Sequence, residues 1–162
     1  MKKCVFSGTF DPPTTGHQKV IETCLEIFDE VVVAIMVNPD KKPLLTEEER
    51  YGLLCKMYDG NDRVKVCIFD GAAVDLLERE NTLFYVRGVR DAIDFEYENR
   101  NFFANKKLKG DIVTIYIPAE QENLQISSSL VRNSVRFKKQ YSQYIPEAIR
   151  EDLIKILKTK EI

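Results

Sequence analysis

The chain has 162 residues, with 24 Lys or Arg, 26 Asp or Glu and a single His, for a net charge of −2. That length predicts one domain spanning 1–162, and a hydrophobic fraction of 44% beside 31% charged residues excludes a disordered chain. The charge balance gives no support to nucleic-acid binding through a basic surface, and one histidine excludes three-His zinc and two-His iron sites.

Met1-Lys2-Lys3 leads directly into the apolar run Cys4–Phe6, a buried strand, without the pattern of a secretory signal. No apolar stretch approaches the ~18 residues of a membrane span, so a cytoplasmic location with no membrane partner is expected. Strand and helix periods then alternate. A helix is predicted from about Gly16 to Phe28, with Val20, Cys24, Ile27 and Phe28 on one face. Glu30–Val37 is a strand apolar on both faces. The next helix begins at Thr46, which with Glu49 has the spacing of a capping box. Arg63–Phe69 alternates at period two, as a half-buried strand does.

A short helix over Ala72–Glu80, closed by Asn81, precedes the strand Leu83–Val86. Asp91–Lys109 is a long helix ended by Gly110, with its acids early and its bases late, an order that suits the helix dipole. Its Phe102 and Phe103 fit either core packing or an interface. The last strand is Ile112–Ile117. Two more helices follow, from about Ser127 to Phe137 and from Pro146 to about Lys158, the second amphipathic and suited to covering the domain. Alternation of this kind predicts an α/β fold, a doubly wound domain with a five-stranded, mostly parallel sheet. The four cysteines, Cys4, Cys24, Cys55 and Cys67, form no CxxC pair and read as reduced thiols packed like small hydrophobes.

Ligands of such sheets bind beyond the carboxyl ends of the strands, so the loops there carry the function. The first reads Ser7-Gly8-Thr9-Phe10-Asp11-Pro12-Pro13-Thr14-Thr15-Gly16-His17. Its glycine permits close backbone approach, Thr14 or Thr15 can cap the helix, and His17 falls in the first helical turn, where free N–H groups favour phosphate. Neither a Walker A loop nor GxGxxG is present. The second loop, Asn38-Pro39-Asp40-Lys41-Lys42-Pro43, offers two lysines between prolines, by themselves a pattern more typical of a solvated turn. Arg87-Gly88-Val89-Arg90 follows the fourth strand and supplies the side chain best suited to bidentate phosphate contact, with salt bridges to nearby acids as the other use of these arginines. After the fifth strand, Gln125-Ile126-Ser127-Ser128-Ser129 opens a helix with hydroxyl and N–H donors. Four loops thus bring phosphate-binding groups to one rim of the sheet, which predicts a nucleotide site.

Thr14-Thr15-Gly16-His17 resembles the (T/H)xGH signature of nucleotidyltransferases, whose fold is related to that of class I aminoacyl-tRNA synthetases. The first loop, Lys41-Lys42-Pro43, Arg87–Arg90 with Asp94-Phe95-Glu96-Tyr97-Glu98, and Ile126–Ser129 together are similar to the bacterial phosphopantetheine adenylyltransferases over essentially the full chain. The resemblance implies transfer of AMP from ATP to 4′-phosphopantetheine, giving dephospho-coenzyme A and pyrophosphate in coenzyme A synthesis. It implies Mg²⁺ carried by the nucleotide phosphates, no dedicated metal ligands and a homohexamer. Onto matching positions it carries phosphopantetheine binding by Thr9, Lys41, Ala73 and Arg87. ATP binding falls to Thr9, Phe10, His17, Gly88, Val89, Arg90, Glu98 and the run Asn123, Leu124, Gln125, Ile126, Ser127, Ser128 and Ser129, and His17 is the implied catalytic residue. Two positions depart from the family pattern. Asn123 stands where an aromatic is frequent, and Ala73 where Leu or Met is common. A nicotinamide-mononucleotide or phospho-alcohol transferase of the same superfamily, and a non-catalytic flavodoxin-like module, are the competing readings.

Overall fold

A computed structural model describes residues 1–38 and 42–161. Five strands, β1 (Lys3–Gly8), β2 (Glu30–Met36), β3 (Val64–Phe69), β4 (Phe84–Val89) and β5 (Val113–Pro118), form a sheet in the order β3-β2-β1-β4-β5, and every pairing is parallel. Six helices accompany them: α1 (Thr15–Ile27), α2 (Glu47–Met57), α3 (Ala73–Arg79), α4 (Ala92–Leu108), α5 (Ser128–Arg136) and α6 (Arg150–Thr159). This is the expected α/β architecture, with a sheet that is wholly parallel. Short 3-10 turns at Gln121–Asn123, Ser142–Tyr144 and Glu147–Ile149 were not expected.

The sheet is buried on both faces, as parallel sheets are. Cys4, Phe6, Val31, Val33 and Ile35 face one core with Val20, Ile21 and Cys24 of α1 and Leu54 of α2. Val5, Val32, Ala34 and Tyr85 face a second with Val74, Leu76 and Leu77 of α3. A third cluster packs Leu45 and Leu53 against α5 and α6, through Val131, Val135, Leu153 and Leu157, so the closing helix does cover the domain. The apolar stripe of α1 runs through Val20, Ile21 and Cys24 to Phe28, the residue capping its end. Ile27, expected inside, is 52% exposed because the stripe turns past it.

Local signals set the helix ends. Thr46 and Glu49 form the reciprocal capping box their spacing predicts. Asn81 follows α3 in the left-handed region (φ 51°), which asparagine tolerates better than most side chains. Helix α4 behaves differently from the rest. Glu98 is its buried residue, while Ile93, Phe95, Tyr97, Phe103 and Leu108 are exposed, so Phe103 is no part of the core. Cys4 and Cys24 are buried, Cys55 and Cys67 half-buried, and all four are free thiols. Among the described residues, no helix is long and apolar enough to cross a membrane.

Candidate active site

The chain runs outward from β1 through β2 to β3 and then returns to lay β4 on the other side of β1. The loops leaving β1 and β4 therefore diverge, which opens a crevice at the carboxyl edge of the sheet. A cavity of about 300 Å³ lies there. Ser7, Gly8, Thr9, Phe10 and His17 form one wall, Arg87 to Arg90 with Asp94 and Glu98 a second, and Asn123 with Ile126 to Ser129 a third. Helices α1 and α5 both begin at this cavity and present the positive ends of their dipoles to it.

His17 is fixed by the cap of its own helix. Thr14 is the N-cap, and its hydroxyl accepts the His17 backbone N–H at 3.4 Å. In return the imidazole Nδ1 accepts the Thr14 backbone N–H at 3.0 Å, and the Thr14 hydroxyl lies 3.1 Å from the same nitrogen. This is a capping box in which histidine takes the place usually held by Glu or Gln. With Nδ1 accepting, the proton of the neutral ring sits on Nε2. Burial, then the charges of Arg87 and Arg90, lower the His17 pKa to about 4, so the ring is a neutral donor at physiological pH. Phe10, held at φ 52°, sets its ring against the imidazole edge-on with centroids 4.8 Å apart.

Both arginines of the second wall are engaged by acids. Arg87 donates from Nε and Nη2 to the two Glu98 carboxylate oxygens at 2.8 and 2.5 Å, a bidentate pair. Its Nη1 donates to the Ser7 carbonyl at 2.5 Å and to the Ser7 hydroxyl at 3.1 Å, and that hydroxyl pairs with the buried Tyr85 hydroxyl at 2.6 Å. Four of the five guanidinium N–H bonds are thereby directed, leaving one on Nη2. Arg90 pairs with Asp94 from Nε at 2.7 Å and Nη2 at 3.1 Å. The hydrogen bond from Arg90, and then its charge, hold the Asp94 carboxyl below its usual range despite partial burial. Salt bridging and the cavity wall are thus one arrangement.

Of the predicted site residues, Thr9, Phe10, His17, Arg87, Gly88, Val89, Arg90, Glu98, Asn123, Ile126, Ser127, Ser128 and Ser129 all line this cavity. Leu124 and Gln125 do not; Leu124 is exposed, beyond the 3-10 turn that ends at Asn123. Ala73 opens α3 and packs on the Val5–Val32–Leu77 core, away from the wall. Lys41 lies outside the described residues.

The sequence profile of the cytidylyltransferase-like family matches residues 5–134. A phosphopantetheine adenylyltransferase of Bacteroides thetaiotaomicron is 38% identical over 149 residues, covering 92% of this chain and 98% of that one. One of Clostridium kluyveri is 37% identical over 155 residues, covering 96% and 94%. The chain belongs to the phosphopantetheine adenylyltransferase family. The fold is shared more widely: a Vibrio parahaemolyticus structure assigned as a nicotinate-nucleotide adenylyltransferase superposes with a TM-score of 0.73 at 23% identity, covering 96% of this chain and 93% of that one.

In this family member the cavity wall runs from Phe6 to Arg132, wholly inside the matched 5–134. Several participants escaped the sequence reading. Ser7 and Tyr85 meet across 78 residues, and no local pattern announces such a pair. Asp94 sits in the motif that carried the resemblance, yet its role as the Arg90 partner needs the helical i,i+4 geometry. Asp11 turns its carboxylate away from the cavity to accept the Leu44 and Leu45 backbone N–H groups at 2.8 Å each. Arg132 donates to the Asp11 carbonyl at 2.7 Å, and the Ser128 hydroxyl to the Pro12 carbonyl at 2.8 Å, so α5 clasps the first loop from its other side.

Proposed function

We propose that the chain, as one nucleotidyltransferase domain, transfers the adenylyl group of ATP to 4′-phosphopantetheine, forming dephospho-coenzyme A and releasing pyrophosphate. The observation that carries this reading is the neutral His17, with Nδ1 already occupied, sharing one cavity with Arg87 and Arg90. The substrate is taken from the full-length relatives of that name.

A phosphate oxygen of phosphopantetheine attacks the α-phosphorus of ATP, and the bond to the bridging β-oxygen breaks in line with it. The nucleophile is already an anion, so the protein needs no serine or cysteine nucleophile. Its task is to align two anions and stabilise the charge that builds on the α-phosphate. His17 donates from Nε2 to a non-bridging α-oxygen and, being neutral, requires no proton transfer. Thr9, Phe10, Gly88, Val89, Arg90, Glu98 and the segment Asn123 to Ser129 hold ATP, with the start of α5 offering N–H groups to the polyphosphate. Thr9, Lys41, Ala73 and Arg87 hold phosphopantetheine, Arg87 and Lys41 taking its phosphate. Ala73, off the cavity wall, would contribute main chain to the pantetheine arm.

ATP would be bound as its magnesium complex, in which the ion would offset charge on the phosphates. The carboxylates of the cavity wall, Asp94 and Glu98, are each paired with an arginine. The exposed apolar side chains of α4 support a homo-oligomer, and we take it to be the hexamer that the family resemblance implies, with the cytoplasm as its expected location.

Pyrophosphate release is measured with ATP and phosphopantetheine, and separately with ATP and nicotinamide mononucleotide. Turnover with the first acceptor is expected. Turnover with only the second makes the chain a different adenylyltransferase, and ATP binding without turnover makes it a binding module.

A further inference from the structure

Arg50 has the most buried long side chain in the described molecule that carries a charge, at 2% exposure, and no role in the cavity wall. It lies in the first turn and a half of α2, where a solvated arginine would be unremarkable. Here the guanidinium turns inward. Its Nη1 donates to the Thr9 carbonyl at 2.9 Å, its Nε to the Thr46 carbonyl at 3.1 Å and its Nη2 to Glu47 at 2.8 Å. A buried charge is expensive unless it is well hydrogen-bonded, and these three partners engage each of the three nitrogens, three of the five N–H bonds.

We propose that Arg50 is a positioning residue for phosphate recognition, acting through the peptide bond between Thr9 and Phe10. That peptide is planar, so its C=O and N–H point in opposite directions. With the Thr9 carbonyl drawn to Arg50, the Phe10 N–H is turned away from Arg50, and in this proposal it serves the cavity that Thr9 and Phe10 line. Phe10 sits at φ 52°, a conformation that a bulky residue adopts only under constraint, and the Arg50 contact immediately before it supplies one. An independent tether runs beside it: the Asp11 carboxylate accepts the N–H groups of Leu44 and Leu45. Arg50 and Asp11 together bind the loop after β1 to the segment between β2 and α2. The orientation of a backbone phosphate donor therefore depends on one guanidinium that touches no ligand, while the spacing of the two segments is shared between Arg50 and Asp11.

This inference rests on the adenylyltransferase reading insofar as ATP is the phosphate ligand. Its test compares ATP with adenosine, which has the same base and sugar and no phosphates. Calorimetric titrations are run on wild type, Arg50→Met, Arg50→Lys and Glu47→Gln, with melting temperatures and kcat recorded for each. In Arg50→Met the ATP affinity falls about tenfold, the worth of one well-made hydrogen bond to an anion, while adenosine affinity holds within about twofold. Arg50→Lys keeps a charge and a donor within reach of the Thr9 carbonyl and recovers part of the loss. A merely structural role weakens both ligands together and in proportion to the fall in melting temperature.

Should Arg50→Met fail to fold, Glu47→Gln decides the matter. Glu47 is more exposed, and loosening its hold on Arg50 lowers the ATP-to-adenosine affinity ratio about two- to threefold. An unchanged ratio in a folded Arg50→Met protein, or in Glu47→Gln where that protein does not fold, overturns the proposal while leaving a wild type that releases pyrophosphate untouched. A wild type that binds no ATP overturns the adenylyltransferase reading and this inference with it.

Discussion

Replacing His17 with alanine separates two quantities that the structure places in one side chain. The ring contributes a cap to α1 and, in the proposed mechanism, a donor to the α-phosphate. The cap is only partly lost in the variant. The Thr14 hydroxyl still accepts the backbone N–H of position 17, while the Thr14 N–H loses Nδ1. Half a capping box together with the Phe10 edge contact is worth about 1–2 kcal/mol of stability. The donor is worth more, because a positioned hydrogen bond to charge that develops in the transition state contributes about 10²–10³ in rate, or roughly 3–4 kcal/mol. His17→Ala therefore remains folded at 25 °C, loses two to three orders of magnitude in kcat, and binds ATP with an affinity within about threefold of wild type, since the contact strengthens only as the α-phosphorus becomes pentacoordinate. Pyrophosphate release at saturating substrates gives kcat, and calorimetric titration gives the ATP affinity. A kcat within about threefold of wild type refutes the role, and so does an ATP affinity that falls in step with kcat. The pH profile adds a second check. With its pKa near 4, His17 is neutral across the physiological range, so an activity limb near pH 6.5 that disappears in a His17 variant contradicts a neutral donor.

The same depressed pKa bears on stability. The folded protein holds its proton on His17 less tightly than the unfolded chain, so the contribution is complete above about pH 6.5 and drains as pH falls toward 4. Between about pH 7.5 and 4.5 that amounts to roughly 2.5 kcal/mol, seen in urea unfolding as a slope that His17→Gln removes; parallel slopes for the two proteins speak against it. Arg87→Lys keeps the charge but cannot form the two-pronged pair with Glu98, and kcat/KM for phosphopantetheine drops about 10²-fold with ATP affinity changed less than about threefold. An equal loss for both substrates would assign Arg87 to the nucleotide instead. Tyr85→Phe removes one partner of a buried hydroxyl pair while Arg87 still donates to the Ser7 hydroxyl, so it costs about 1 kcal/mol, a fall of about 2–4 °C in melting temperature.

The parts legible in the sequence are those governed by neighbours along the chain. Strand and helix periods placed all five strands to within about three residues and five of the six helix starts to within one, because burial on a strand or a helix face repeats at a fixed interval; the last helix, expected from about Pro146, starts at Arg150 after the 3-10 turn Glu147–Ile149. Thr46 and Glu49 announced their box for the same reason. The choice between Thr14 and Thr15 stayed open in the sequence because the usual pattern looks for Glu or Gln three residues on. Here the reciprocal partner is His17, a residue that the pattern reads as something else. What could not be read is set by the convergence of distant segments. Arg50 reads as a solvated helix residue until the Thr9 carbonyl, 41 positions earlier, is seen to meet it. Helix α4 misled in another way: Phe103 fits a core by composition, yet the helix lays Glu98 against Arg87 and leaves its large apolar side chains outside.

Net charge is the coarsest of these signals, and the reason it says nothing of so small a site is physical. At −2 the chain offers no field that would gather anions over its surface. The cavity works on a shorter scale, where Arg87 and Arg90 stand beside helix N-termini and are held in fixed pairs with Glu98 and Asp94 of the same wall. Glu98 and Asp94 orient the two guanidinium planes and, unliganded, offset much of their charge. In the proposed mechanism, a phosphate entering the cavity meets arginines that are already aimed, so little reorganisation accompanies binding, and low local dielectric makes each remaining contact stronger than it would be in water. An arginine without such a partner would be a stronger attractor and a poorer guide, free to follow the phosphates of the ground state. Pairing each cation with an acid favours alignment over affinity, which is what a reaction between two anions demands of its catalyst.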